Sequence, residues 1–227
     1  MVMSADLCHT CDNNCLLKVL SDSDRKTLLQ RATYVNYRKK EMLFKQGSFQ
    51  TSLFLLKSGL VKTFMERRND KNIILKIIAP NEIINLPSFF QPTYEFSAIT
   101  LCNCEVCIIP LEDVRQVMGK KPELGQLFSQ EYSRISSYLL QRIKTLGTKQ
   151  MHGRLADVIL YLCSPIFENT NIFEYLSRKD IAEIAGMSVE GSIRLLTEFK
   201  NDGLINIEGK QISINNMELM QRLSEIG

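Results

Sequence analysis

The sequence predicts an α+β chain in three parts: an antiparallel β-roll, a long amphipathic helix, and a C-terminal helix-turn-helix with a hairpin wing. Three observations carry this. Between about residues 33 and 110 the apolar runs are short and rich in β-branched and aromatic residues. From about 111 the period becomes helical, and past Lys121-Pro122 one apolar stripe continues to about 148. Beyond it come a short helix, a turn glycine, a second helix and two alternating strands, in that order.

In chain order, Ser21 with Asp24 three residues on has the spacing to cap a short helix. TYVNY, SLFLL, LVKTFM, IILKII, FSAITL and EVCIIP read as strands. Turn signals separate them at Gln46-Gly47, Ser58-Gly59, Arg68-Asn69-Asp70, Ala79-Pro80-Asn81 and Gln91-Pro92. Strands at this spacing point to an antiparallel sandwich or barrel. In the long helix, Phe128, Tyr132, Ile135, Leu139 and Leu146 fall on alternating four- and three-residue steps. Arg142 takes the remaining seam position, with Ile143 beside it. Such a stripe must be buried, either within the chain or against a second copy, and its heptad-like spacing favours a parallel dimer. Thr148 to Gln150 then reads as a hinge. It divides residues 1–147, a sensor domain whose dimerisation helix covers about 122–147, from a second domain at 148–227.

Residues 154–176 read as one helix and a turn. Ser177 and Asp180 begin the next helix in a capping-box-like arrangement. Ile181, Ala182, Ile184 and Ala185 form its apolar face, and Gly186 supplies the left-handed residue of a tight inter-helix turn. Ser188 caps a following helix that carries Glu190, Arg194, Leu195, Leu196 and Phe199. LINIE and KQISI, flanking Glu208-Gly209-Lys210, read as a hairpin. The helix-turn-helix and wing together indicate double-stranded DNA as partner, with the exposed face of the second helix reading bases. A helical domain with a hairpin and no nucleic-acid role is the alternative.

The chain is 44% apolar and 23% charged, which excludes collagen-like and disordered classes. No uncharged apolar stretch is long enough to cross a membrane, and no basic flank precedes an apolar run at the N-terminus. A cytoplasmic protein with no membrane partner is expected. The net charge of +3 is unevenly placed: residues 148–227 hold 8 Lys and Arg against 11 Asp and Glu, a net of −3. Phosphate contacts must therefore come from a local patch, for which Lys149, Arg154, Arg178, Lys179 and Lys210 are the candidates. With only 2 His and no Ser-His-Asp, phosphate-loop or zinc-protease motif, an enzyme is not expected. Seven cysteines, an odd number, favour thiols or metal ligands over paired disulfides.

Over almost its whole length the sequence resembles the CRP/FNR family of transcription regulators. EMLFKQGSFQTSLFLLKSGLVKTF is similar to the start of the family's β-roll, with Gly47 and Gly59 at its turn glycines. The long helix is similar to the family's dimerisation helix. The resemblance implies a jelly-roll, cyclic-nucleotide-binding-like N-terminal domain, a homodimer on a palindromic site, and RNA polymerase as a partner. SVEGSIR is similar to the family pattern in which Glu and Arg four apart read a TGA core. Carried over, Glu190 accepts from a cytosine amino group and Arg194 donates to a guanine. Ser188 and Val189 lie near the backbone and the outer base, and Val189 matches the FNR branch. Ser192 replaces an apolar core residue, and Ile193 stands where a small or polar residue is usual.

The same resemblance bears on the effector. In CRP, an acid and an Arg-Ser pair hold cyclic AMP. Asn85 and Phe96 stand at those places here, so no cyclic nucleotide is expected. Cys8, Cys11 and Cys15 form a Cys-x-x-Cys-x-x-x-Cys run, and Cys107 in EVCIIP is similar to FNR's fourth cluster ligand. The resemblance thus implies a [4Fe–4S] cluster and a response to oxygen, redox or nitrosative state. FNR has five residues between its second and third cysteines, whereas this chain has three. Cys102 and Cys104 are two further thiols, and strand alternation places them on the face opposite Cys107. His9 adjoins the run, so zinc, a thiol switch and cysteines without metal all stay open. Cys163 reads as core and His152 as structural or solvent-facing. The competing functions are a redox or iron–sulfur protein without a DNA role, against which the winged helix argues, and a cyclic-nucleotide-binding regulator, against which Asn85 and Phe96 argue.

Overall fold

β-Branched and aromatic runs pack best on a half-buried pleated surface. In the computed structural model, which describes residues 16–67 and 72–227, each such run between 33 and 110 is a strand. They are β1 (Thr33–Tyr37), β3 (Ser52–Ser58), β4 (Val61–Met65), β5 (Ile73–Ile78), β6 (Ser97–Thr100) and β7 (Cys104–Pro110). A further strand, β2 (Met42–Phe44), is too short to show alternation in the sequence. The strands form two sheets, ordered β1-β7-β3 and β2-β6-β4-β5, and the roll is antiparallel at β1–β7, β3–β7, β2–β6 and β4–β6.

β7 is the central strand of its sheet and is buried on both faces. Cys107 and Ile109 share one core with Leu53 and Leu55 of β3. Helices cover that core: α1 (Asp22–Leu29), α2 (Leu111–Lys120) and the start of α3 (Pro122–Thr148) contribute Leu28, Val114, Leu124 and Phe128. Ser21 caps α1 as its spacing indicates, accepting from the Asp24 N–H at 3.2 Å. The Ser21 hydroxyl, and next the Lys121 ammonium, hold the Asp24 carboxyl below its ordinary range.

The chain divides into two compact units, one ending with Lys76–Ser137 and the other comprising Glu66–Leu75 and Tyr138–Gly227. The second unit carries α4 (Met151–Leu162), α5 (Ile172–Tyr175), α6 (Arg178–Ala185), α7 (Val189–Asn201), β8 (Ile205–Glu208), β9 (Gln211–Ile214) and α8 (Met217–Ile226). α8 lies beyond the wing, outside the helix-turn-helix and hairpin pattern. Asn216 caps it, accepting from the Leu219 N–H at 3.0 Å, and Met220 is fully buried. Gly153 of α4 lies so close to the chain end that a Cβ there would sit 2.6 Å from Gly227 O.

The stripe of α3 is not one surface. Phe128 is 5% exposed and meets Phe89 edge-on, with ring centroids 5.0 Å apart. Ile135 packs against the same core. Phe128 is therefore corrected from an interface residue to a core residue: helical period alone cannot say which neighbour a face meets. Leu139 is half-buried, whereas Tyr132, Leu140, Ile143 and Leu146 are exposed. Arg142 donates to Ile74 O at 3.2 Å.

Gly47 (φ 84°) and Gly59 (φ 89°) both occupy the left-handed region. A Cβ at Gly47 meets nothing, whereas one at Gly59 would lie 2.5 Å from Cys104 Sγ and 2.6 Å from Asn103 O. Gly47→Ala is expected to cost about 1–2 kcal/mol of backbone strain. Gly59→Ala should lose about 1–3 kcal/mol more from overpacking. Urea unfolding midpoints of the two variants check the difference.

Candidate nucleic-acid interface

α6 opens with a complete capping box. Ser177 Oγ accepts from the Asp180 N–H at 3.1 Å, and the Asp180 carboxylate accepts from the Ser177 N–H at 2.8 Å. Gly186 ends the helix at φ 62°, and the Met187 N–H returns to Ala182 O at 3.0 Å. A Cβ at Gly186 would meet Leu146 Cδ2 at 2.5 Å, and Arg154 donates to Gly186 O at 3.0 Å. The turn is thus fixed by conformation and by crowding, and it sets where α7 begins.

Ser188 caps α7, accepting from the Gly191 N–H at 3.0 Å. Ser192, Leu195, Leu196 and Phe199 are buried on one face. Glu190, Ile193 and Arg194 are exposed on the other, and Val189 is half-buried at the helix start. Glu190 and Arg194, one turn apart, therefore project from the same solvent-facing side. Thr197 extends this face and was not among the expected residues, although its i+3 spacing from Arg194 carries the signal. Ser192 does occupy a core position, and its hydroxyl is buried without a hydrogen-bond partner.

In the wing, β8 and β9 pair Ile205 with Ile214 and Glu208 with Gln211, and Gly209 (φ 61°) makes the turn. Several cations of the expected patch have partners within the chain. Arg178 donates to Gly209 O at 3.4 Å, and burial lowers the pKa of its guanidinium. Lys210 Nζ donates to Glu174 O at 3.5 Å. Lys179 is exposed and lies 3.7 Å from Glu183. Lys149 grips both carboxylate oxygens of Asp157 at 2.8 Å, in a cluster with Thr145 and Ser224. Lys149 is thus removed from the phosphate patch, because its charge is spent on Asp157. His152 contacts Glu198 at 3.0 Å.

In the roll, Asn85 is wholly buried. Its Oδ1 accepts from the Phe54 N–H at 2.9 Å, and its Nδ2 donates to Ser52 O at 2.9 Å. Phe96 is buried beside Phe44, which stacks on Tyr94 at 4.1 Å, and Ser97 Oγ accepts from the Gln46 N–H at 2.8 Å. The groups at these positions serve the roll's own backbone and core.

Cys107 is 1% exposed and shares its core with Leu17 and Leu20. Cys8, His9, Cys11 and Cys15 lie outside the described residues, among which no group of three or more His, Cys, Asp or Glu could hold a metal. Cys163 is half-buried, and burial pushes its thiol up to about 11. Among the described residues no helix is long and apolar enough to cross a membrane.

Comparison with known proteins gives two family matches: a cyclic nucleotide-binding domain over residues 34–121 and a Crp-like helix-turn-helix domain over residues 153–223. The transcriptional activator protein anr of Pseudomonas aeruginosa is 30% identical, over 78% of this chain and 74% of its own length. The anaerobic regulatory protein of Aggregatibacter actinomycetemcomitans is 28% identical over 82% and 74% respectively. Among solved structures, FixK2 from Bradyrhizobium japonicum has a TM-score of 0.78 at 18% identity, covering 85% of this chain and 96% of that one. This last likeness is one of fold.

Two serines of α7 have opposite effects on stability. Ser192→Ala removes a buried unsatisfied hydroxyl and improves helix propensity, so a gain of about 1 kcal/mol is expected. Ser188→Ala removes the N-cap and should cost about 1 kcal/mol. Chemical denaturation of each variant checks the signs.

Proposed function

The chain belongs to the CRP/FNR family of DNA-binding transcription regulators, and on that premise we propose that it acts as a homodimer whose two α7 helices read successive major grooves of a palindromic site. The observation that carries this is the solvent-facing pair Glu190 and Arg194, one turn apart on a helix whose opposite face is core. Glu190 accepts from a cytosine and Arg194 donates to a guanine of a TGA half-site. Ser188, Val189 and Ile193 line the same side. Lys179 contacts phosphate, while Arg178 and Lys210 hold the wing and lend charge to it. Tyr132, Leu139 and Leu146, seven residues apart on α3 with Ile143 beside them, form the seam between copies. Residues 1–147 sense and residues 148–227 bind DNA. RNA polymerase is the partner at the promoter, in the cytoplasm. Family members are transcription regulators rather than enzymes.

The signal is oxygen or redox state rather than a cyclic nucleotide. The hydrogen bonds of Asn85 and the aromatic setting of Phe96 support this, as does the relatives' role as anaerobic regulators. Cys8, Cys11, Cys15 and Cys107 would hold a [4Fe–4S] cluster. The donor set fits: four thiols, with Leu17, two positions after Cys15, packed in the core of Cys107. When bound, such a cluster supplies an oxygen-labile group tied to both the N-terminal arm and β7.

Two measurements separate these readings. Arg194→Ala should lose about 1–3 kcal/mol of discrimination per half-site between a TGA palindrome and a scrambled duplex at fixed salt. Unchanged discrimination defeats the assignment of α7. Strictly anaerobic purification should give broad visible absorption and about four iron atoms per chain, lost in Cys107→Ser. An iron-free anaerobic protein with all its cysteines titrating as thiols defeats the sensor reading and leaves the DNA reading standing.

A further inference from the structure

Cys102 and Cys104 have no part in the reading above, yet the fold holds them together. They flank Asn103 where the chain enters β7: Cys102 lies in the link from β6, which bends at Leu101 and Cys102, and Cys104 is the first residue of β7. Both sulfurs face one residue of the β3–β4 turn. The Leu60 N–H donates to Cys102 Sγ at 3.2 Å, and Cys104 Sγ donates to Leu60 O at 3.3 Å. Cys104 Sγ also reaches Cys102 O at 3.3 Å. Gly59 leaves the room for this, since a Cβ there would lie 2.5 Å from Cys104 Sγ. Cys107, one alternation out of step, packs instead in the core with Leu53 and Leu55.

We propose that Cys102 and Cys104 form a dithiol that low-molecular-weight disulfides oxidise reversibly to an intraloop disulfide, a modification site separate from Cys107 and the N-terminal cysteines. Residues two apart have Cα atoms no more than about 7 Å apart, which reaches the upper end of the range a disulfide spans. The surroundings assign the roles. Cys102 is half-exposed, so its sulfur is the one a small disulfide can reach, and it attacks. Cys104 is 3% exposed, and burial, with the neighbouring Cys102 adding to it, pushes its thiol up to about 12, so it resolves.

The Cys102 thiol loses its proton and its sulfur bonds to one sulfur of the small disulfide, whose S–S bond breaks and releases a small thiolate that takes up that proton. Cys104 sulfur then bonds to Cys102 sulfur, displacing the second small thiolate, which takes the Cys104 proton. Two protein thiols are oxidised by two electrons, and one small disulfide is reduced to two thiols. Excess small thiol reverses both steps. Oxidation removes the Cys104 donor from Leu60 O, which keeps its bond from the Leu101 N–H at 2.8 Å.

The test treats the full-length protein with oxidised glutathione, blocks remaining thiols under denaturing conditions and cleaves after glutamate. The peptide Phe96–Glu105 contains Cys102 and Cys104 without Cys107. Mass spectrometry should find it unalkylated and two hydrogens lighter, returning to the doubly alkylated form after incubation with reduced glutathione. Cys104→Ser should trap a glutathione adduct on Cys102, and Cys102→Ser should leave Cys104 alkylated without an adduct. A doubly alkylated wild-type peptide, or one cross-linked to a different cysteine peptide, overturns the proposal. An adduct on Cys104 in Cys102→Ser, with none on Cys102 in Cys104→Ser, overturns the assignment of the attacking thiol.

Discussion

The burial of one face of α7 is the constraint on which the outward position of Glu190 and Arg194, and so the proposed DNA-reading surface, depends. Leu195, Leu196 and Phe199 are each 3% exposed or less, so the helix cannot rotate about its axis without exposing them. Glu190 and Arg194 are held outward by what lies beneath them. The left-handed turn at Gly186 and the cap at Ser188 fix where the helix begins, and the wing is tied to α6 through Arg178 and Gly209. The placement of these charges is thus a property of the packing beneath them.

The same logic explains how a domain with a net charge of −3 can bind a polyanion. Counting charges over the domain averages groups in very different settings. Lys149 is neutralised by Asp157 inside the fold, and Arg178 and Lys210 spend hydrogen bonds on carbonyls of the chain. What matters at a phosphate is the field of the few cations nearest to it, which short-range screening separates from carboxylates elsewhere. In the roll, polar groups serve the fold in a similar way. Asn85 brackets β3 with both ends of its amide.

Much of this was legible in the sequence, because strands, caps and turns are local. The β-branched runs, Ser21, Ser177, Gly186 and the Glu208-Gly209-Lys210 hairpin all act through residues a few positions away. What failed to show depended on distant partners. The apolar stripe of α3 was visible, but Phe128 meets Phe89, a contact no periodicity reports. β2 has three residues, too few for alternation to register. α8 has an amphipathic pattern, but its packing against α4 turns on two glycines over 70 positions apart, Gly153 and Gly227. Among the candidate site residues, the α7 face was readable from four-residue spacing, whereas the partners of Lys149, Arg178 and Lys210 were not. The pairing of Cys102 with Cys104 was visible only as two more thiols near Cys107.

The central claim, that two copies read two half-sites together, is tested most directly by titrating the protein onto a duplex carrying both half-sites and onto one with a single half-site scrambled, at one salt concentration. The account predicts a loss far larger than any single base contact explains, about 10³-fold or more, because the second α7 forfeits its base contacts while keeping only phosphate attraction. Equal affinity for the two duplexes would contradict it.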